Sequence, residues 1–149
     1  MNEEKTALGQ KILRLKREKR LRWGEVAEAI GHSAVFACAA CLGQMSLTAE
    51  AAEKAGALFG LGAEEVALLA EPPYRGSLPT VAPTDPVIYR FHELVQVYGT
   101  TWKALIEEEF GDGIMSAIDF EMTLDRQPDP KGDRVRITMS GKFLPYRRY

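Results

Sequence analysis

Arg90 and Glu93 stand at i and i+3 in the stretch PVIYRFHELVQVYG, so on a helix the carboxylate lies one turn from the guanidinium and can hold it in a fixed rotamer. On a solvated surface such a pair contributes at most about 1 kcal/mol. The neighbours Ile88, Phe91, Leu94, Val95 and Val97 leave this helix little polar face, which predicts an Arg90 that is at least half-buried. A guanidinium there is costly unless paired, and once paired it is suited to gripping a planar anion. Ser116 follows the glycine-flanked GDG in the segment GIMSAIDF, just before an alternating run. Its hydroxyl and neighbouring backbone N–H groups, that of Ala117 among them, can converge on a single oxygen. Arg90, Glu93 and Ser116 therefore form a candidate anion-binding site.

Other reactive residue types fit less well. His92 sits beside Glu93, but consecutive helical residues point about 100° apart, and no nucleophile or orienting carboxylate accompanies it. It is expected at the surface or in an interface. Cys38 and Cys41 form a CxxC with His32 six residues before the first thiol. Structural zinc wants four ligands, and a redox-active CxxC follows a strand and opens a helix. Neither setting is present, so the two thiols are expected as small buried apolar groups and no metal site is assigned.

A chain of 149 residues has room for one compact domain or two very small ones, which excludes a nucleotide-binding fold with a separate substrate domain. Apolar residues at 46% and charged residues at 27% are ordinary globular values. With 19 Lys and Arg against 21 Asp and Glu, the chain as a whole has no attraction for nucleic acid or an anionic membrane. The start lacks the pattern of a secretory signal, and no stretch approaches the roughly 18 apolar residues that span a bilayer. The expected location is the cytoplasm.

The prolines Pro72, Pro73, Pro79, Pro83 and Pro86 interrupt any helix or central strand. They divide the chain into a helical part (residues 1–71), a linker (72–85) and a C-terminal part (86–149). In the first, Leu8, Ile12 and Leu15 keep helical spacing with Lys and Arg on the other faces. Trp23, Val26, Ala27 and Ile30 give a second helix ending at Gly31, and Ser33 caps a third that runs to about Cys41. Helices over about Thr48 to Phe59 and Ala63 to Ala70 complete a five-helix, helix-turn-helix-like (λ-repressor-like) bundle.

In the last part, Asp85 caps a helix with Pro86 at its first position, Gly99 is expected to end it, and Thr100 or Thr101 to cap a second helix closed by Gly111. Ile118, Phe120, Met122 and Leu124 then alternate with polar residues as a half-buried strand, and Val135, Ile137 and Met139 supply its hairpin partner. The fold class is mainly α with a small α+β part. Two helices and a two-stranded sheet make a thin core, so this part is expected to need a partner copy of itself, which makes the protein an obligate oligomer.

A helix-turn-helix suggests a transcriptional regulator with a C-terminal dimerisation module as the competing function. Its second helix, SAVFACAACLG, offers no Arg, Lys, Asn or Gln to read base edges. Specific nucleic-acid binding is not expected.

The segment YRFHELVQVYGTTWKALIEEEFGDGIMSAIDF, with PTDP, LGQ and GKFLPY flanking it, closely resembles the signature region of cyanases, also called cyanate hydratases or cyanate lyases. The resemblance runs over nearly the whole chain and is strongest in the central third. It implies bicarbonate-dependent decomposition of cyanate to ammonia and carbon dioxide, a lyase reaction in cyanate metabolism that needs neither metal nor organic cofactor, with bicarbonate as co-substrate. The family's catalytic arginine, glutamate and serine fall on Arg90, Glu93 and Ser116. It further implies that residues 86–149 are the catalytic and dimerisation domain, intertwined with a second subunit, within a homodecamer, a pentamer of dimers, with sites where several subunits meet. Cys38 and Cys41 lie outside the family pattern.

Overall fold

The computed structural model describes residues 3–73, 75–76 and 81–149. Pro79 of the expected linker lies outside the described residues. Among the described residues six helices precede one hairpin: α1 (Glu3–Glu18), α2 (Trp23–Ile30), α3 (Ala34–Cys41), α4 (Ala49–Phe59), α5 (Ala63–Ala70), α6 (Pro86–Phe110), β1 (Gly113–Gln127) and β2 (Arg134–Pro145). By compactness the chain divides into two units, Met1–Ser77 with Met122–Thr138, and Leu78–Glu121 with Met139–Tyr149.

Helix boundaries in the first unit follow local chemistry. Ser33 Oγ accepts the Phe36 N–H at 3.2 Å, and Thr48 Oγ1 accepts that of Ala51 at 3.2 Å, so each hydroxyl satisfies one of the otherwise unpaired first-turn donors. The carboxylate of Glu65 does the same for the Gly62 N–H at the start of α5. Gly31 and Gly60 end α2 and α4 in the left-handed region, where a side chain would be strained. Leu8, Ile12, Val26, Ile30, Ala52 and Phe59 lie at the centre of the buried core. Lys11 bonds Glu65 at 2.6 Å, tying α1 to α5, and the buried Lys5 ammonium donates to the Glu71 carbonyl just past α5.

Part of the basic run of α1 is engaged within the chain. Besides Lys11, Arg14 approaches Glu18 at 3.8 Å and the Lys16 ammonium lies 5.1 Å from the Trp23 ring centroid. Helix α3 is a packing element rather than a reading head, since Ala37, Ala40 and Cys41 are buried and Val35, Phe36, Cys38 and Ala39 half-buried.

In the second unit the expected pair of helices is one helix of 25 residues, Pro86 to Phe110. Gly99 does not terminate it because termination uses a left-handed backbone, and Gly99 is absent from the positive-φ glycines. An interior glycine costs only about 1 kcal/mol. Against it stand the Asp85 cap, whose carboxylate accepts the N–H groups of Val87 and Ile88, the Lys103–Glu107 pair, and the Tyr98 and Trp102 rings stacked 6.4 Å apart across the glycine. Gly111 ends the helix as expected.

The two strands form a two-stranded sheet. Asp129 and Asp133 organise the connecting loop, with Asp133 bonded to Arg126 at 2.8 Å and to the Asp129 N–H at 3.2 Å. At the other end Phe110 stacks on Phe143 at 5.3 Å and the Tyr146 N–H donates to the Asp112 carbonyl, joining the hairpin base to the end of α6. The expected half-buried strand face is not covered within one chain: Phe120 and Met122 are half-buried, but Leu124 is 55% exposed and Ile118 98%. No residue of α6 is buried, and beyond Leu69 only Pro83 and Ser116 are buried among the described residues.

Candidate functional site

Helix α6 carries Arg90 and Glu93 one turn apart near its capped end. The guanidinium Nη1 lies 3.8 Å from Glu93 Oε2, an ion pair at the limit of direct contact, and the guanidinium carbon is 5.8 Å from the centroid of the Tyr89 ring. Their side chains are 69% and 51% exposed, so the expected half-burial of Arg90 is not met within a single chain. The reason is visible along the helix, where the apolar neighbours that were to enclose it, Ile88, Phe91, Leu94, Val95 and Val97, are themselves uncovered. An exposed guanidinium beside one carboxylate keeps donors available for a second anion. His92 is half-buried, with its ring 6.2 Å from that of Tyr89, in keeping with a packing role.

Ser116 differs from expectation in an informative way. It lies within β1 rather than ahead of it, because the strand begins at Gly113. It is also buried, at 4% exposure. Its Oγ accepts hydrogen bonds from the N–H groups of both Ile118 and Asp119, each at 3.0 Å. A hydroxyl oxygen has two acceptor positions, so both are engaged, and the group is left able to donate its proton rather than to accept another. The chain thus turns locally onto the serine hydroxyl, a side-chain-to-backbone pattern that competes with regular strand pairing. The expected converging N–H groups exist, but those of Ile118 and Asp119 converge on the hydroxyl itself, and Ala117, between Ser116 and Ile118, is exposed.

Arg90 and Glu93 are thus brought together in one chain, whereas the hydrogen bonds and ion pairs of the described residues do not join Ser116 to either. What the arrangement offers chemically is one delocalised cation with free donors and one hydroxyl locked as a donor. Both are groups that stabilise oxyanions, and neither is a strong base.

Of the two cysteines Cys41 is buried as expected, whereas Cys38 is half-buried. Burial pushes the Cys38 thiol above its ordinary range and carries that of Cys41 up to about 12, the nearby Cys38 adding to the effect. Neither is a ready thiolate at neutral pH. Sequence reasoning missed the carbonyl clasp of Lys5 and the double engagement of Ser116. The first had no local signal, while the second was foreshadowed by a serine between glycines and an aspartate.

Profiles described as the N-terminal domain of cyanate hydratase and the C-terminal domain of cyanate lyase match residues 5–73 and 80–148. Cyanate hydratase of Ralstonia pickettii (strain 12J) is 63% identical over 147 residues, 99% of this chain and 98% of that protein. That of Dechloromonas aromatica (strain RCB) is 61% identical over 138 residues, 93% of this chain and 94% of that one. The crystal structure of cyanase from T. urticae superposes with a TM-score of 0.82 at 33% identity, covering 93% of this chain and 96% of that one. Likeness at this level extends through both the helical bundle and the hairpin, and by it the chain belongs to the cyanate hydratase (cyanase) family.

Proposed function

We propose that the chain catalyses the bicarbonate-dependent decomposition of cyanate to ammonia and carbon dioxide, with Arg90, Glu93 and Ser116 as its catalytic residues. The observation that carries this reading is the 63% identity to a cyanate hydratase over 99% of the chain. Two monoanions must be brought together; at about 4 Å and an effective dielectric near 20 their repulsion is on the order of 4 kcal/mol. Arg90 supplies the offsetting charge, and Glu93 orients its guanidinium. Ser116 donates its hydroxyl proton to an oxygen of the substrate or adduct, with the Ala117 N–H as a second donor. A bicarbonate oxygen attacks the cyanate carbon, the adduct loses carbon dioxide to leave carbamate, and carbamate gives ammonia and a second carbon dioxide. Two protons are taken up overall. The work required is orientation and charge stabilisation.

Each chain has a single Arg90, so a site with a guanidinium for each anion needs two copies. The uncovered apolar surface of α6 and the hairpin supports such an assembly, here read as a homodecamer built from five dimers. In this reading residues 1–71 form the helical domain, 72–85 the linker and 86–149 the catalytic and dimerisation domain, and the enzyme works in the cytoplasm. Among the described residues no helix is long and apolar enough to cross a membrane.

The direct test is incubation of the purified protein with cyanate, with and without bicarbonate, while ammonia is measured. Release that depends on bicarbonate is expected. Absence of ammonia, or release at the same rate without bicarbonate, would refute the activity as stated.

A further inference from the structure

We propose that Gly141 is a positioning residue for Ser116: by having no side chain it lets β2 lie directly against the serine's carbonyl and so sets the tilt of the Ser116–Ala117 peptide. The inference rests on the reading of Ser116 given above. Gly141 is not among the positive-φ glycines, so the position does not exploit the conformational freedom of glycine. What it exploits is space. A Cβ built on Gly141 would overlap the Ser116 carbonyl oxygen and stand 2.6 Å from Met115 Cγ and 3.3 Å from Met115 Sδ. The methionine can rotate away, but a carbonyl oxygen is rigidly coupled to its peptide.

That coupling links the glycine to the chemistry. The Ser116 carbonyl and the Ala117 N–H belong to one planar peptide unit, so a shift of the oxygen swings the N–H with it. The same shift disturbs the turn in which the N–H groups of Ile118 and Asp119 hold the serine Oγ at 3.0 Å. Both proposed donors, the hydroxyl and the Ala117 amide, therefore depend on the close approach of β2 at this one residue. A side chain at 141 would misplace them by a fraction of an ångström to an ångström, the scale at which oriented catalysis is lost.

The test is a double-mutant cycle on the full chain, with ammonia release from cyanate and bicarbonate as the readout and sedimentation and thermal midpoint as controls. Gly141→Ala is expected to lower kcat/KM by about 10- to 100-fold in particles of unchanged size. In a Ser116→Ala background the same substitution is expected to cost at least about fivefold less, because the hydroxyl is gone and only the Ala117 amide is left for it to displace. Equal losses in both backgrounds, or wild-type activity in Gly141→Ala, would overturn the proposal. Gly24→Ala is the matched control, since a Cβ there meets nothing within 4 Å, and it should retain full activity. If Gly141→Ala does not assemble, adding Met115→Ala removes the side-chain part of the overlap and leaves the carbonyl part. That double variant should assemble and remain slower than Met115→Ala alone. Its failure to assemble would show that the glycine serves the hairpin as a whole and would sink the idea. If Ser116→Ala is itself as active as wild type, the assignment of Ser116 fails, and the proposal falls with it for that separate reason.

Discussion

A guanidinium 69% exposed and held at 3.8 Å by one carboxylate contributes little to the stability of an isolated chain. Its value is as an unspent donor. Arg90→Ala should therefore leave the helical content and assembly near wild type while lowering kcat/KM for cyanate by roughly 100- to 1,000-fold, read from ammonia release alongside circular dichroism. Arg90→Lys keeps the charge but loses the planar fork, and it should recover only a minor part of the loss. Unchanged turnover in Arg90→Ala would remove the arginine from the mechanism. Ser116 shows how much one residue's surroundings matter: a hydroxyl whose acceptor positions are both taken by backbone N–H groups is defined as a donor before any ligand arrives.

Among the elements, α6 shows a local signal overridden by its neighbours. Gly99 looks like a stop, yet the Asp85 cap and the Tyr98–Trp102 stack carry the helix through it. A Cβ at this position would meet Val95 Cγ1 at 3.8 Å, an ordinary contact. Gly99→Ala should therefore stabilise the protein by about 0.5–1 kcal/mol, seen as a raised thermal midpoint; a lowered one would mean that the backbone departs from the helix there. In the helical bundle, bonds from Lys11 and from the Gly62 N–H hold the Glu65 carboxyl below its ordinary range. A carboxylate with a depressed folded-state pKa adds stability above its unfolded value and loses it as pH falls through the folded one. The wild-type midpoint should thus fall more steeply than that of Glu65→Gln on acidification below about pH 4.5. Parallel curves would show that the α1–α5 tie contributes nothing.

For the molecule as a whole, the decisive contrast is between a bundle with a buried core and a C-terminal part with almost none. Along α6 large apolar side chains are left uncovered, Val87 at 66% and Leu105 at 58% among them, and exposed apolar stretches of this kind mark interaction surfaces. Under the proposed two-copy anion site, a second copy of the chain would be the covering. Leu105→Glu should break the assembly into smaller species in sedimentation and abolish activity with it, although Leu105 is not placed at the site. Full activity in a dissociated variant would separate catalysis from oligomerisation. The thermal midpoint of the wild type should also rise with protein concentration, as expected where folding is linked to association.

The sequence by itself determined the elements whose causes are local. The N-caps Ser33 and Asp85, the helix ends at Gly31 and Gly111, and the period change after Gly111 each act within a few residues, so they could be read in order along the chain. It also determined the pairing of Arg90 with Glu93, because helical spacing alone brings i and i+3 together. At Gly99 the contacts that carry the helix through are also local, but in the sequence the glycine outweighs them; only the tertiary structure decided that Ser116 sits inside β1 with both acceptor positions filled, and that the apolar face around Arg90 remains open in one chain. Those outcomes turn on what the folded chain places opposite each residue, a neighbouring turn or a facing strand, and distance along the sequence carries no record of that.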